Sequence, residues 1–389
     1  MPFYVKHGDI PGKRHIQLRD PNGKLRYEEL LGREGFSDIY SNVYHIHPPT
    51  RVSKVGGLQP LEIKPGGRDA HRNRHMETFK FSPRGDFLSG RRVLVYNKDV
   101  IMSVAVPEKQ ADYFYRNAHA YELIFVHHGS GVLESFFGRL SFGPGDYIVI
   151  PGGTLYRLSY DQAVQPRFLI MEAMGEITPP KRYLNKHGQL LEHAPFCERD
   201  IRVPLPMAPR DETGDFPIKV RVKQGLQDYT LAHHPFDVVG WDGYFYPWIF
   251  NIRDFMPITG KVHQPPPVHQ TFDGPGFVIC SFCPRLFDYH EQAIPAPYAH
   301  SNVDSDELLY YVEGDFMSRT GVSEGSITLH PAGWPHGPQP GKYEGSIGLK
   351  ETLEYAVMLD TFGPLFVAAD ADEVDDPAYP YSWLEDDKK

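Results

Sequence analysis

Apolar and polar positions in this chain alternate over short distances, and Gly or Pro interrupts nearly every run. Between residues 92 and 171 the pattern predicts strands at Arg92–Tyr96, Val100–Val106, Glu122–His128, Gly131–Ser135, Gly138–Phe142, Asp146–Ile150, Tyr156–Ser159 and Arg167–Met171. Side chains on a strand point alternately to its two faces, so short aromatic and β-branched runs bounded by turn formers read as strands. Helical periodicity is scarce; Tyr27–Leu31 and Lys109–Phe114 are the two candidate helical stretches. Residues 1–80, polar and rich in turn formers, are expected to wrap the outside as short strands and loops. Residues 173–220, with Pro179-Pro180 and Pro204 to Pro206, read as an irregular connector, and strand-like runs resume after Lys219. The chain thus divides into 1–172, 173–220 and 221–389, the last ending in an acidic tail. Many short strands at close spacing predict an all-β sandwich or barrel.

The pattern also repeats. Glu122, six residues and Gly129 are followed by Gly143-x-Gly145-Asp146 and Pro151-Gly152-Gly153. Glu307, six residues and Gly314 are followed by Gly325, five residues and Pro331-x-Gly333. Such self-similarity predicts two copies of one barrel unit.

Composition narrows the partners. A net charge of -10 argues against nucleic acid or an anionic membrane as the main partner. The first residues lack a basic stretch followed by an apolar one, so no signal peptide is expected, and no apolar run is long enough to span a bilayer. Three cysteines, Cys197, Cys280 and Cys283, fit a reducing cytoplasm. Cys280 and Cys283 form a C-x-x-C within an apolar strand, where residues three apart point oppositely, so it is not read as a zinc or redox motif. By the same reasoning His127 and His128 are expected on opposite faces, binding nothing.

The second repeat carries the candidate chemistry. His300-x-Asn302, then Glu307 and Gly314, then Gly325 and Pro331-x-Gly333-x-x-His336, resemble the two cupin motifs. The resemblance implies a double-stranded β-helix (jelly-roll) pair, a bicupin, with a divalent ion on His300, Glu307 and His336. Asn302 stands where the first motif usually has a second His, which leaves two imidazoles and one carboxylate. Three positions of an octahedral ion then stay open, the facial triad used by non-haem Fe(II) oxygenases. At matching positions the first repeat has Tyr115, Asn117, Glu122 and Tyr156. It keeps one ligand and is read as a degenerate, structural barrel.

Further segments resemble the homogentisate 1,2-dioxygenase family. They are Pro297-Tyr298-Ala299-His300-Ser301-Asn302, Trp334-Pro335-His336-Gly337-Pro338, His234 to Trp241, Asn251 to Phe255, Asp360-Thr361 and Tyr381-Ser382-Trp383. The resemblance implies Fe(II)-dependent opening of homogentisate by O2 to maleylacetoacetate, in tyrosine and phenylalanine breakdown. It implies His263 as an acid/base or hydrogen-bond partner of the substrate, and Tyr298, His330 and His336 as substrate contacts. It also implies a small aromatic acid as substrate and a trimer-based homo-oligomer. Two departures stand out: Glu307 lies seven residues after His300 instead of six, and the family's Asp-His-x-Asp-Pro reads Val262-His263-Gln264-Pro265-Pro266. Asp306 is thus a rival to Glu307; the six-residue gap to Gly314 selects Glu307. His263, His269 and His300 form a rival metal set, but Pro265-Pro266-Pro267 predicts a stiff extended loop that leaves only His263 near the site. A gentisate-type enzyme and a non-catalytic metal-binding cupin remain the competing readings.

Overall fold

The computed structural model describes residues 3–67, 71–314, 316 and 318–384. Strand Tyr121–His128 shows how its sequence builds the centre of the molecule. Ile124 and Val126 point into one apolar cluster with Ile148, Phe168, Leu133 and Leu158. Leu123 and Phe125 point the other way, into a second cluster with Phe272, Ile279, Leu308 and Val357. A strand buried on both faces needs apolar residues at every position, which is why this run is continuous where an exposed strand would alternate.

The strand belongs to an eight-stranded sheet whose middle runs Trp248–Asn251, Asp146–Ile150, Tyr121–His128, Arg167–Ala173, Val100–Ala105 and Arg91–Tyr96. A seven-stranded sheet containing Gly131–Ser135, Leu155–Tyr160 and Phe114–Asn117 closes the first barrel over the shared cluster of Leu133, Leu158 and Ile124. A six-stranded sheet packs on the opposite face. Its order is Gln270–Gly274, Phe277–Phe282, Tyr355–Thr361, Asp306–Glu313, Ser326–His330 and Arg74–Glu77. This sheet is one wall of the second barrel. The molecule is all-β, two jelly-roll barrels packed back to back.

Strand pairing crosses the divisions drawn from the sequence. Arg74–Glu77 completes the second barrel's sheet through Ser326–His330. Thr213–Val222 lies in the stretch read as irregular, yet it forms a ten-residue strand paired with Gly225–His233 and, in parallel, with Phe114–Asn117. Gly214 and Pro217 disguise it. Neither candidate helix forms. Tyr27–Gly32 is a strand paired with Tyr40–His45. At residues 108 and 109 the backbone N–H groups donate to Gly85 O instead of starting a helical ladder. The only α-helices among the described residues are Lys342–Ser346 and Ala369–Asp372, and none is long and apolar enough to cross a membrane. All three cysteines are free thiols, with Cys280 and Cys283 buried. Part of the expected acidic tail, Glu385 to Asp387, lies outside the described residues.

His127 and His128 correct another expectation. Their rings stack with centroids 4.0 Å apart. Pairing passes from Phe168↔Val126 to Arg167↔His128, a bulge that leaves His127 without a partner residue and turns both rings the same way. With Glu324 they bring ligand atoms within 4.8 Å of one another. Both ring nitrogens of His127 are nevertheless committed, one to Tyr310 Oη at 2.6 Å and one to Val312 O at 2.9 Å. His127 thereby ties the two barrels together.

A smaller four-stranded sheet is pinned by His45, whose Nδ1 lies 2.8 Å from Asp237 and Nε2 3.1 Å from Glu29. Burial alone lowers the imidazole's pKa, but the two carboxylates outweigh it and raise it from 6.5 to about 9. The folded state therefore holds a proton that the unfolded chain releases earlier. This stabilisation is complete below about pH 6.5 and declines as pH rises through 9. Urea unfolding of the wild type is expected to show that decline, and His45→Gln to flatten it.

Candidate metal centre

The site grows out of strand Asp306–Glu313. Leu308, Tyr310 and Val312 enter the core between the barrels. Glu307, Leu309 and Tyr311 alternate with them and line a cavity of about 500 Å³. Asp306, on the core-side parity, spends its carboxylate on loops, accepting from Ala332 N–H at 2.7 Å and Leu365 N–H at 2.6 Å. Glu307, not Asp306, therefore faces the histidines, despite its unusual distance from His300.

The two histidines arrive on loops, and backbone hydrogen bonds lock them opposite each other. His300 N–H donates to His336 O and His336 N–H to His300 O, both at 2.8 Å. Asn302, which replaces a ligand in the motif, contributes its carbonyl, accepting from Gly333 N–H at 2.5 Å. Gly333 has φ +73°, a turn conformation that favours glycine. Nδ1 of His300 lies 3.2 Å from Tyr298 O, and Nδ1 of His336 lies 3.3 Å from Trp334 O. A carbonyl accepts only, so each Nδ1 carries the hydrogen and each Nε2 presents a lone pair. Those Nε2 atoms sit 3.5 Å from Oε2 and 3.4 Å from Oε1 of Glu307. The three side chains offer ligand atoms within 4.8 Å of one another, and His336 Nε2 is buried without a hydrogen-bond partner. An orphaned buried acceptor beside a carboxylate and a second imidazole lone pair fits a cation.

Burial alone would push the Glu307 carboxyl up; the imidazoles of His300, His330 and His336 around it outweigh burial and hold it well below the carboxylate range. Glu307 is paired across the ladder with Asp360. Burial, reinforced by the Glu307 charge, pushes the Asp360 carboxyl well up. His300 is shifted upward, first by its Glu307 contact.

The remaining predicted residues divide. His263 and Tyr298 line the cavity, their rings 5.1 Å apart, and His263 Nδ1 lies 3.4 Å from Asp288. His330 does not reach the cavity wall. It is fully buried, stacked on His336 with centroids 4.3 Å apart, and its Nδ1 lies 3.1 Å from Glu307 Oε1. Burial lowers its pKa to about 3, so the ring is neutral and braces Glu307 from behind. His269, set aside on the sequence, also lines the cavity, because residues 266–269 form a 3-10 turn that brings it round where an extended loop was expected. Arg319 and Arg285 line the cavity as well, and sequence reasoning missed both. They sit outside the motif blocks, and no spacing rule points to them.

The chain is 41% identical over 387 residues to a protein of Saccharolobus solfataricus described as a putative dioxygenase, covering 98% of this chain and 99% of that one. Residues 91–252 match the family model described as homogentisate 1,2-dioxygenase N-terminal. The chain belongs to the homogentisate dioxygenase family. The homogentisate 1,2-dioxygenase of Bradyrhizobium diazoefficiens is 28% identical over 286 residues, which span 68% of this chain and 61% of that enzyme. Among solved structures, a cupin 2 conserved barrel domain protein from Leptotrichia buccalis aligns at 9% identity with a TM-score of 0.33, covering 79% of this chain and all of that one.

In this family member the first barrel solves the same electrostatic problem differently. Glu122 is the counterpart of Glu307, and its ladder partner is Glu172. Arg91 Nη1 lies 2.8 Å from Glu122 and 3.1 Å from Glu172, with all three side chains buried. Tyr115 and Tyr156, at the positions of the two histidines, donate to Glu122 at 3.2 and 2.8 Å. A guanidinium thus supplies the positive charge inside this barrel. Arg91→Met strands the buried Glu122, whereas Glu172 keeps Arg221 at 3.5 Å, and is expected to cost about 3–5 kcal/mol of stability, measured by chemical unfolding, while metal bound per folded chain stays unchanged.

Proposed function

We propose that this dioxygenase-family protein opens the ring of homogentisate with O2, giving maleylacetoacetate, with Fe(II) as its metal and His300, Glu307 and His336 as the ligands. The observation that carries the reading is the pair of imidazole Nε2 lone pairs facing Glu307, with His300 and Glu307 on the wall of a largely apolar cavity and His336 fully buried beside them. Two imidazoles and one carboxylate suit a divalent iron with open positions, which would supply Lewis acidity and the redox chemistry that O2 requires. The chain's own residues do the rest. Phe282, Phe287, Val268 and Met358 give the cavity apolar walls that hold a small ring and exclude water. His263 stands at the cavity with Nδ1 toward Asp288, which leaves Nε2 to take the proton of a ring hydroxyl. Tyr298 packs beside it and limits how the ring sits. His330 keeps Glu307 oriented while remaining out of contact with substrate.

Iron per chain and substrate-dependent O2 uptake test the reading together. Homogentisate is expected to drive uptake and gentisate to fail; the reverse preference would replace homogentisate by gentisate as substrate. His336→Ala is expected to lose iron. His263→Phe is expected to keep iron and to lower turnover by about 10²-fold or more; full turnover in that variant would remove His263 from the chemistry.

A further inference from the structure

Gly337, the residue after the candidate ligand His336, carries a carbonyl with two donors on it. Arg319 Nη1 donates to it at 2.7 Å and Trp383 Nε1 at 3.0 Å. A carbonyl oxygen has two lone pairs, so both are used and the oxygen is fixed in place. Gly337 is also wedged against the loop of the other histidine, because a Cβ there would meet Ala299 Cα at 2.7 Å. Ala299 precedes His300. Whatever holds Gly337 therefore holds the backbone beside both imidazoles.

Arg319 is buried, and its other terminal nitrogen turns toward the carboxylate side of the site. Nη2 lies 3.4 Å from His330 Nε2, while His330 Nδ1 lies 3.1 Å from Glu307 Oε1. A guanidinium only donates and a carboxylate only accepts, so the ring carries its hydrogen on Nδ1 and offers its lone pair at Nε2. One guanidinium thus reaches Glu307 through His330 and His336 through Gly337. Residues 379–383 seat that guanidinium. The buried Tyr379 meets it through its hydroxyl, and the Trp383 ring centroid lies 5.6 Å from its centre. Ser382 Oγ donates to Tyr379 O at 2.7 Å and accepts from Gln339 Nε2 at 2.6 Å, which docks the segment on the loop that follows His336.

We propose that Arg319 and Trp383 are positioning residues of the metal centre: together they clamp Gly337, and Arg319 also holds His330, so that segment 379–383 sets how tightly the three ligands grip Fe(II). The proposal rests on the metal reading of His300, Glu307 and His336 and adds to it the residues that keep those ligands in place. Both act through other residues, and no covalent step is involved. Partners of this kind, one bond removed from a ligand, govern metal affinity because a ligand free to turn away binds less tightly.

Fe(II) affinity, measured without O2 by competition with a coloured chelator, and urea unfolding of the metal-free chain together separate positioning from folding. Loading with Co(II) adds a spectroscopic readout, because its visible bands follow the geometry of the ligands. Trp383→Phe keeps a ring under the guanidinium and removes only the indole N–H. It is expected to weaken Fe(II) binding by about 10-fold and to shift the Co(II) bands, with the unfolding midpoint of the metal-free chain close to the wild type. Arg319→Met should weaken binding by about 10²-fold. Arg319→Lys, which can reach only one of the two acceptors, should recover part of that. Because both residues act on one carbonyl, Trp383→Phe should cost less in the Arg319→Met background than alone. Full Fe(II) affinity with unshifted Co(II) bands in Trp383→Phe overturns the proposal. So does unchanged affinity per folded chain in Arg319→Met, which would make the guanidinium structural only. Should Arg319→Met fail to fold, Trp383→Phe and Arg319→Lys decide by the same measures. A wild type that binds neither Fe(II) nor Co(II) defeats the metal reading and this proposal with it, whereas tight wild-type binding with unchanged variants defeats this proposal alone.

Discussion

A carboxylate buried inside a β-barrel needs a positive partner, and much of this molecule is arranged around meeting that need twice. Both barrels place a Glu at the same point of the repeat, Glu122 and Glu307, directly across a ladder from a second acid, Glu172 and Asp360. Leaving such a pair charged and alone in an apolar interior is prohibitively unfavourable. The first barrel meets the need with Arg91 and two tyrosine hydroxyls. The second pushes the Asp360 carboxyl well up through burial and surrounds Glu307 with three imidazoles. A fixed guanidinium closes the first site permanently. The imidazole lone pairs leave the second open to a cation.

The back-to-back packing of the two barrels serves the same end. Every second residue of Asp306–Glu313 is fixed in the core between the barrels, which sets the direction of Glu307 on the alternate face. The opposite side of the site is less regular. It consists of loops clamped by the reciprocal His300–His336 backbone bonds and a two-stranded ladder, Arg285–Leu286 with Glu351–Thr352. A rigid wall orients the carboxylate, and an irregular one leaves room for a ligand and supplies Tyr298, His263 and Arg319 around it.

Much of this was legible in the chain. Runs such as Gly131–Ser135, Gly138–Phe142 and Asp146–Ile150 are strands with the bounds their pattern predicts, because turn formers end them and every residue between packs locally on one of two faces. The repeat spacing brought out Glu307 and the two histidines, since the gaps between them are set by strand and turn lengths that the fold cannot change freely. Tertiary contacts overrode the sequence where local signals were weak. Tyr27–Gly32 has helical spacing but pairs with a neighbouring strand, and Thr213–Val222 is a strand despite Gly214 and Pro217 because two partners hold it.

The sequence by itself therefore determined the all-β class, the duplicated unit and the identity of the three candidate ligands, each encoded within one strand or one turn. Only the tertiary structure decided which strands close which barrel, why Asp306 turns away, that His127 and His128 stack across a bulge, and that His330 braces instead of touching the cavity. It alone also revealed Arg319, Arg91 and His269. These residues act through partners far away in the chain, and such partnerships are set by which faces of distant strands and loops become buried together, information that no local spacing carries.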